Sequence, residues 1–304
     1  MEIPKNIFQY DWAAMSAADQ RAFFSKNGFL VIPQLFTPEE VNLMHKEIEQ
    51  YGLAEKKVDM SEAFCSAPSF APMVDHPKLV SALTSILGSN FICFKGAYVP
   101  KPSKPGVSAP HRTALHVDYG ILEREGDYRN SNALWVNVAC YLSDMTFEHA
   151  PFAVVPGSHN YFHLEPGTDM ESLKEEAVTL LAKAGDAILF LHNTVHAGGS
   201  NVSGYTQHIL FCSYRAAWAR HIGRVTEWPK QFVENSPPSR QRLISGLNAG
   251  DAPEELPAVV KRYVPASVLK KSAETLSTLG KYSKARSLTR LGDRLWAAYE
   301  KRVE

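Results

Sequence analysis

The sequence predicts a mainly β fold, a sandwich or barrel-like core with flanking helices, and three observations carry that expectation. Apolar runs rich in β-branched and aromatic residues recur through the middle of the chain, at 135–142, 153–155, 187–191 and 205–214. Turn signals separate them: Pro156-Gly157-Ser158, Ala184-Gly185-Asp186 and Asn201-Val202-Ser203-Gly204. Helical periodicity is concentrated towards the two ends. Several short strands joined by turns bury their apolar faces best as two packed or closed sheets.

The elements follow in order. Residues 17–26 and 38–51 read as amphipathic helices. The second opens on Pro38-Glu39-Glu40 with Thr37 as N-cap, because a threonine hydroxyl accepts a free backbone N–H and proline suits the first turn. His76-Pro77 leads into a third helix through Leu87, closed by Gly88. Residues 56–70 are irregular and mixed in character, which marks a candidate lid. Four prolines within 99–110 predict a loop. A charged stretch at 121–132 is a second candidate lid. The pattern from Ala266 to Val303 is helical, broken near Gly280. These readings divide the chain into a core domain at 1–215 and a helical C-terminal extension at 216–304.

Composition excludes several function classes. The chain has 304 residues, 45% of them hydrophobic and 21% charged, which is the profile of a globular protein with a sizeable core. Formal net charge is zero, so nothing global favours nucleic acid. The charge is uneven: residues 261–304 hold eleven Lys or Arg against four Asp or Glu. The expected role of that segment is to pack on an acidic body, with a homodimer contact or an anion-binding surface as the alternatives. Cys65, Cys93, Cys140 and Cys212 are scattered without a Cys-x-x-Cys pair, which argues for buried free thiols over a zinc ribbon. The first residues lack the apolar segment of a secretory signal, and no run suits a membrane span. The expected setting is cytoplasmic, with no membrane partner.

The chemistry-bearing feature is His116-Val117-Asp118, followed eighty positions later by His196. Alternate residues of a strand share a face, so a His-x-Asp pair presents both side chains to one side. Two imidazoles and one carboxylate form the facial triad of non-haem Fe(II), which leaves the opposite coordination face open. His192 competes with His196 for the third place, since it also ends the strand after Gly185-Asp186. His159 reads as a turn residue, and His111 and His208 as flanking or core histidines.

With these residues in place, the chain resembles the phytanoyl-CoA dioxygenase family of Fe(II)/2-oxoglutarate-dependent oxygenases. The matching elements are His116-x-Asp118, Val155-Pro156-Gly157-Ser158-His159, Gly185-Asp186 and His196 with Gly198, Gly199, Asn201 and Ser203 after it. Phe24 to Pro33 and Phe36 to Val41 also fit, so the resemblance covers roughly residues 15–215. It implies a double-stranded β-helix (jelly roll) with the metal at one open end. It implies iron held by His116, Asp118 and His196, with 2-oxoglutarate as cosubstrate, molecular oxygen, and a small-molecule substrate. Hydroxylation is the default outcome; Asp118 argues against halogenation, because halogenases of this type replace the carboxylate with a small residue.

The sequence departs from the family pattern in two places. Glu148-His149-Ala150 stands where Glu-Asn-Gly is usual. Gln207 stands eleven positions after His196, where the family carries an arginine that pairs with the far carboxylate of 2-oxoglutarate. An amide brings neither the charge nor the bidentate fork of a guanidinium. Gln207 is expected to point inward with Ile209, Phe211 and Ser213. Arg112 is the first candidate to replace the missing charge, ahead of Lys95 and Arg215, and Asn137 is a candidate contact for the cosubstrate. An iron oxygenase that does not use 2-oxoglutarate and a non-catalytic jelly-roll binding protein are the alternatives.

Overall fold

The computed structural model describes residues 6–54, 59–104, 115–118, 135–160, 170–219 and 226–245. Arg112, His111, Tyr119, the 121–132 segment and the C-terminal 246–304 lie outside the described residues.

Helix α1 (Ala17–Asn27) begins at Ser16 with a capping box to Asp19. It ends at Gly28, whose φ of +78° only glycine adopts without strain. Strand β1 (Phe29–Ile32) follows, then α2 (Pro38–Tyr51), capped as expected by Thr37 with Glu40 completing the box. Next come α3 (Met60–Ser66), a 3-10 turn at Pro68–Val74 and α4 (Pro77–Leu87). Seven further strands follow: β2 (Phe91–Lys101), β3 (Trp135–Tyr141), β4 (Phe152–Val154), β5 (Val178–Leu180), β6 (Ala187–Leu191), β7 (His196–Gly198) and β8 (Gln207–Ala216). Two short helices close the described chain, α5 (Lys230–Glu234) and α6 (Pro238–Ile244).

The strands form two sheets, five-stranded β1-β6-β3-β8-β2 and three-stranded β5-β4-β7. All named pairings are antiparallel. Side-chain alternation sorts the large sheet into two faces. Phe29, Val31, Ala139, Tyr141, Ile188, Phe190 and Ile209 pack inward with Phe152, Val154, Val178 and Leu180 of the small sheet. Leu30, Val136, Val138, Leu189, Leu210 and Tyr214 pack outward under α2, α3 and α4. The result is a jelly roll whose larger sheet is sealed by helices, with a site between the sheets.

Two expectations need correction. The stretch from 60 onward is no lid: Ala63, Phe64, Ala67 and Phe70 are all at most 2% exposed and form part of the core. Its apolar residues have helical spacing, which the surrounding charged and proline residues obscured. The proline-rich loop starts later than expected, because β2 runs through Pro100 to Lys101. Proline is tolerated there since β2 is an edge strand. Past residue 215, Leu243 and Ile244 of α6 are buried in the outer core beside Trp228 and Phe232. The chain divides into compact units at Ala252 and Pro253. The cysteines behave as expected, free, with Cys93, Cys140 and Cys212 buried.

Candidate active site

The distal histidine is placed from both sides. His196 opens β7, and its carbonyl accepts the His116 N–H at 3.0 Å while its own N–H donates to the His116 carbonyl at 2.9 Å. The two imidazoles are therefore held opposite each other, with ring centroids 4.4 Å apart. Asp118 N–H donates to the His192 carbonyl at 2.8 Å, which fixes the far end of the short segment. The expected His-x-Asp strand is reduced, in the described residues 115–118, to a single bridge at His116. That bridge suffices to aim both side chains at one point.

Three ligand atoms, one each from His116, Asp118 and His196, all lie within 4.8 Å of one another. Nε2 of His116 and Nε2 of His196 are each 3.9 Å from an oxygen of Asp118. Neighbouring ligands on an octahedral ion with bonds of about 2.1 Å sit about 3 Å apart, so a small contraction is enough to close on a metal. His196 is 6% exposed in its side chain and His116 is 38% exposed, so the site opens on the His116 side.

Two of the donors, His196 and Asp118, are prepared by neighbours. His196 Nδ1 faces the Thr194 carbonyl at 2.9 Å, which places the proton on Nδ1 and leaves the Nε2 lone pair for a metal. Burial pushes the His196 imidazole down to about 4, against the opposite pull of the Asp118 carboxylate, so it is neutral at pH 7. Phe152 and Phe190 pack on the ring at centroid distances of 5.6 and 4.6 Å and keep water from that side. Asp118 accepts a hydrogen bond from the Asn137 amide. The Asn137 carbonyl oxygen in turn accepts from Trp135 Nε1 at 3.0 Å and Ser213 Oγ at 2.7 Å.

The N-terminal motif supports the same histidine. Thr194 Oγ1 donates to the Gly28 carbonyl at 3.0 Å, and a Cβ on Gly28 would lie 2.3 Å from the Thr194 hydroxyl oxygen. His159 rests on the Ser25 carbonyl at 3.0 Å, and Gly157 N–H donates to Asn27 at 2.9 Å. The Asn-Gly and Pro-Gly-Ser-His elements thus meet and brace the loop before β7. Asp186 caps two turns, accepting from Gln34 and Lys183 at 2.8 Å each.

Other sequence candidates fall elsewhere. His192 is outside the triad; its ring stacks on Trp135 at 5.1 Å and 13°. His208 faces outward and bonds the Tyr98 hydroxyl at 2.7 Å. Asn137 holds a candidate metal ligand, a task that occupies its carbonyl oxygen and one of its amide donors. Gln207 is fully buried at the start of β8 and donates to the Ser143 carbonyl at 3.2 Å. Arg215 is wound back on its own chain, donating from Nη1 to the carbonyls of Ala216, Ala217 and Ala219. Lys95 sits 5.3 Å over the Phe211 ring, level with the Asn137–Ser213 pair. Sequence reading did not single out Thr194 or Lys101, since neither lies in a recognisable motif.

The pattern described as Phytanoyl-CoA dioxygenase (PhyH) matches residues 24–209. The chain belongs to this family. Ectoine dioxygenase of Bordetella bronchiseptica is 25% identical over 238 residues, covering 66% of this chain and 75% of the relative. L-proline trans-4-hydroxylase of Streptomyces griseoviridis is 23% identical and covers 71% of this chain and 89% of its own. Among solved structures, EctD from S. alaskensis with 2-oxoglutarate and 5-hydroxyectoine superposes with a TM-score of 0.55 at 22% identity, over 73% of this chain and 83% of that one. This PhyH-family chain is accordingly an enzyme with the jelly-roll core of the iron oxygenases. Among the described residues, no helix is long and apolar enough to cross a membrane.

Proposed function

We propose that this protein is a non-haem Fe(II)- and 2-oxoglutarate-dependent dioxygenase that hydroxylates a small polar metabolite, with iron held by His116, Asp118 and His196. The observation that carries the reading is the convergence of one carboxylate and two imidazoles within 4.8 Å, on a site open to one side. When bound, iron with 2-oxoglutarate and molecular oxygen supplies the oxidation: one oxygen atom enters succinate, carbon dioxide leaves, and the other oxygen atom enters the substrate.

The chain's own residues set the conditions for this chemistry. His196 stays neutral because it is buried, so it offers a lone pair at neutral pH. Asn137 donates to Oδ2 of Asp118 and restrains the rotation of the carboxylate, whose Oδ1 faces His116 and whose Oδ2 faces His196. Phe152 and Phe190 exclude water behind His196. Access for substrate is from the exposed edge of His116 and Asp118.

The test is coupled turnover. The relatives named for ectoine and L-proline act on small zwitterionic molecules, so these two compounds begin the substrate panel. The expected result is oxygen uptake and succinate release in equal amounts, stimulated by a substrate that gains one oxygen atom. Oxygen uptake without succinate, or stoichiometric iron binding with no uptake across the panel, would remove the proposal.

A further inference from the structure

Lys101 ends β2 and pairs across the large sheet with Gln207, the first residue of β8. Two residues back on each strand, Val99 and Ile209 pair with each other and belong to the layer between the sheets. Alternation therefore turns Lys101 and Gln207 to that same inner face. The Lys101 ammonium crosses to the small sheet, donating to the Gly199 carbonyl at 2.6 Å. It lies 3.1 Å from where a Cβ on Gly198 would be, so the bare backbone at 198 leaves it room. Gly198 and His196 are alternate residues of β7 and face the same way. One such step is about 7 Å. The cation thus stands on the imidazole side of β7, one step from the distal histidine.

This ammonium has an unmet need. It is partly buried, and burial lowers its pKa from the usual lysine value. Among the described residues it makes one hydrogen bond and no ion pair. A partly desolvated charge in that condition is stabilised when an anion joins it. Among the described residues, the other inner-face cations are differently placed: Arg215 is bound to three carbonyls, and Lys95 lies at the level of Asn137 and Ser213.

We infer that Lys101 binds the far carboxylate of 2-oxoglutarate, supplying from β2 the charge that the family pattern places at position 207 on β8. The inference rests on the proposed cosubstrate. A 2-oxo acid chelating the metal through its first carboxylate and ketone points its tail away, and its carbon backbone spans about 5 Å from C1 to C5 when extended. With a charge-assisted hydrogen bond of about 3 Å beyond C5, that reach covers the step of about 7 Å along β7. Gln207 keeps its amide on Ser143 and has no charge to offer, so the anchor has moved one strand across the sheet with its side chain still facing the same space.

The experiment is an anaerobic titration of the Fe(II) enzyme followed by the charge-transfer absorbance of the bound oxoacid, with no turnover involved. 2-Oxoglutarate is compared with 2-oxobutyrate, which chelates identically but has no far carboxylate. Lys101→Met keeps the aliphatic stem and removes the charge. In that variant 2-oxoglutarate should bind about 30-fold more weakly or worse, while 2-oxobutyrate affinity is unchanged. Adding Gln207→Arg to Lys101→Met should recover most of the preference for 2-oxoglutarate. Equal loss of both oxoacids, or unchanged selectivity in Lys101→Met, overturns the role of the lysine alone. No band with 2-oxoglutarate in the wild-type enzyme overturns the cosubstrate and the lysine together.

Discussion

Asn137 donates its amide to the carboxylate of Asp118, and the same amide is locked by Trp135 and Ser213 from the other side. The carboxylate is thus oriented before any metal arrives, by a residue on a central strand of the large sheet. Asn137→Ala removes the donor and strands the Trp135 N–H and the Ser213 hydroxyl. Loss of a partner that orients a ligand typically costs 10–100-fold in metal affinity. Fe(II) or Co(II) affinity measured by anaerobic titration should fall by about that factor, with the far-ultraviolet spectrum unchanged. Wild-type affinity in the variant would show that the Asp118 contact is incidental.

His196 and His192 make a controlled pair. Both precede or open β7, but only His196 has a nitrogen in the triad. His196→Ala should abolish metal-dependent oxygen uptake and leave the fold intact, because the apolar layer around Phe152 and Phe190 is unaltered. His192→Ala removes a ring stacked on Trp135, so it should reduce stability while metal still binds. The reverse pattern in a metal titration would sink the assignment.

Much of this was legible in the sequence because the signals were local. Apolar runs rich in β-branched and aromatic residues marked β3 and β8, Thr37 and Pro38 marked the start of α2, and residue type picked out His116, Asp118 and His196. The supporting residues were not legible, since their roles exist only through contacts distant in sequence. Thr194 tells nothing until its carbonyl meets His196 and its hydroxyl meets Gly28. Lys101 looked like part of a proline-rich loop, and only its register with Gln207 turns it inward. The 60–70 part of the expected lid was misread because a helix of seven residues has too few turns to reveal its period, and Pro68 and Pro72 follow it at once.

His208 predicts a pH dependence of the metal-free protein. Burial, then the nearby His45 and His149, push its pKa down to about 4. In the unfolded chain an unperturbed histidine titrates near 6.5. Between those values the unfolded state binds more protons, so stability is lost as pH falls from about 6.5 towards 4 and is fully present above that window. Urea midpoints should decline over this range. In His208→Phe the decline should be shallower, since that group no longer titrates; an identical slope would place the sensitivity in other histidines.

The last prediction concerns Gly185, which forms half of the Gly-Asp element and makes no contact with the triad. Its φ is +87°, and a Cβ there would sit 2.3 Å from the Phe36 carbonyl oxygen. That carbonyl is backbone and cannot rotate aside as a side chain would. The same glycine donates to Tyr141 at 2.8 Å and accepts from Phe36 at 3.1 Å, so it ties β3 to the turn before α2. Gly185→Ala therefore combines left-handed strain with a steric conflict and the loosening of two hydrogen bonds. The expected cost is about 2–4 kcal/mol in chemical denaturation. Metal affinity of the fraction that remains folded should be unchanged, because the triad is held from Thr194, His192 and Asn137. A stable Gly185→Ala protein with impaired metal binding would contradict both halves of this argument and make the element part of the site.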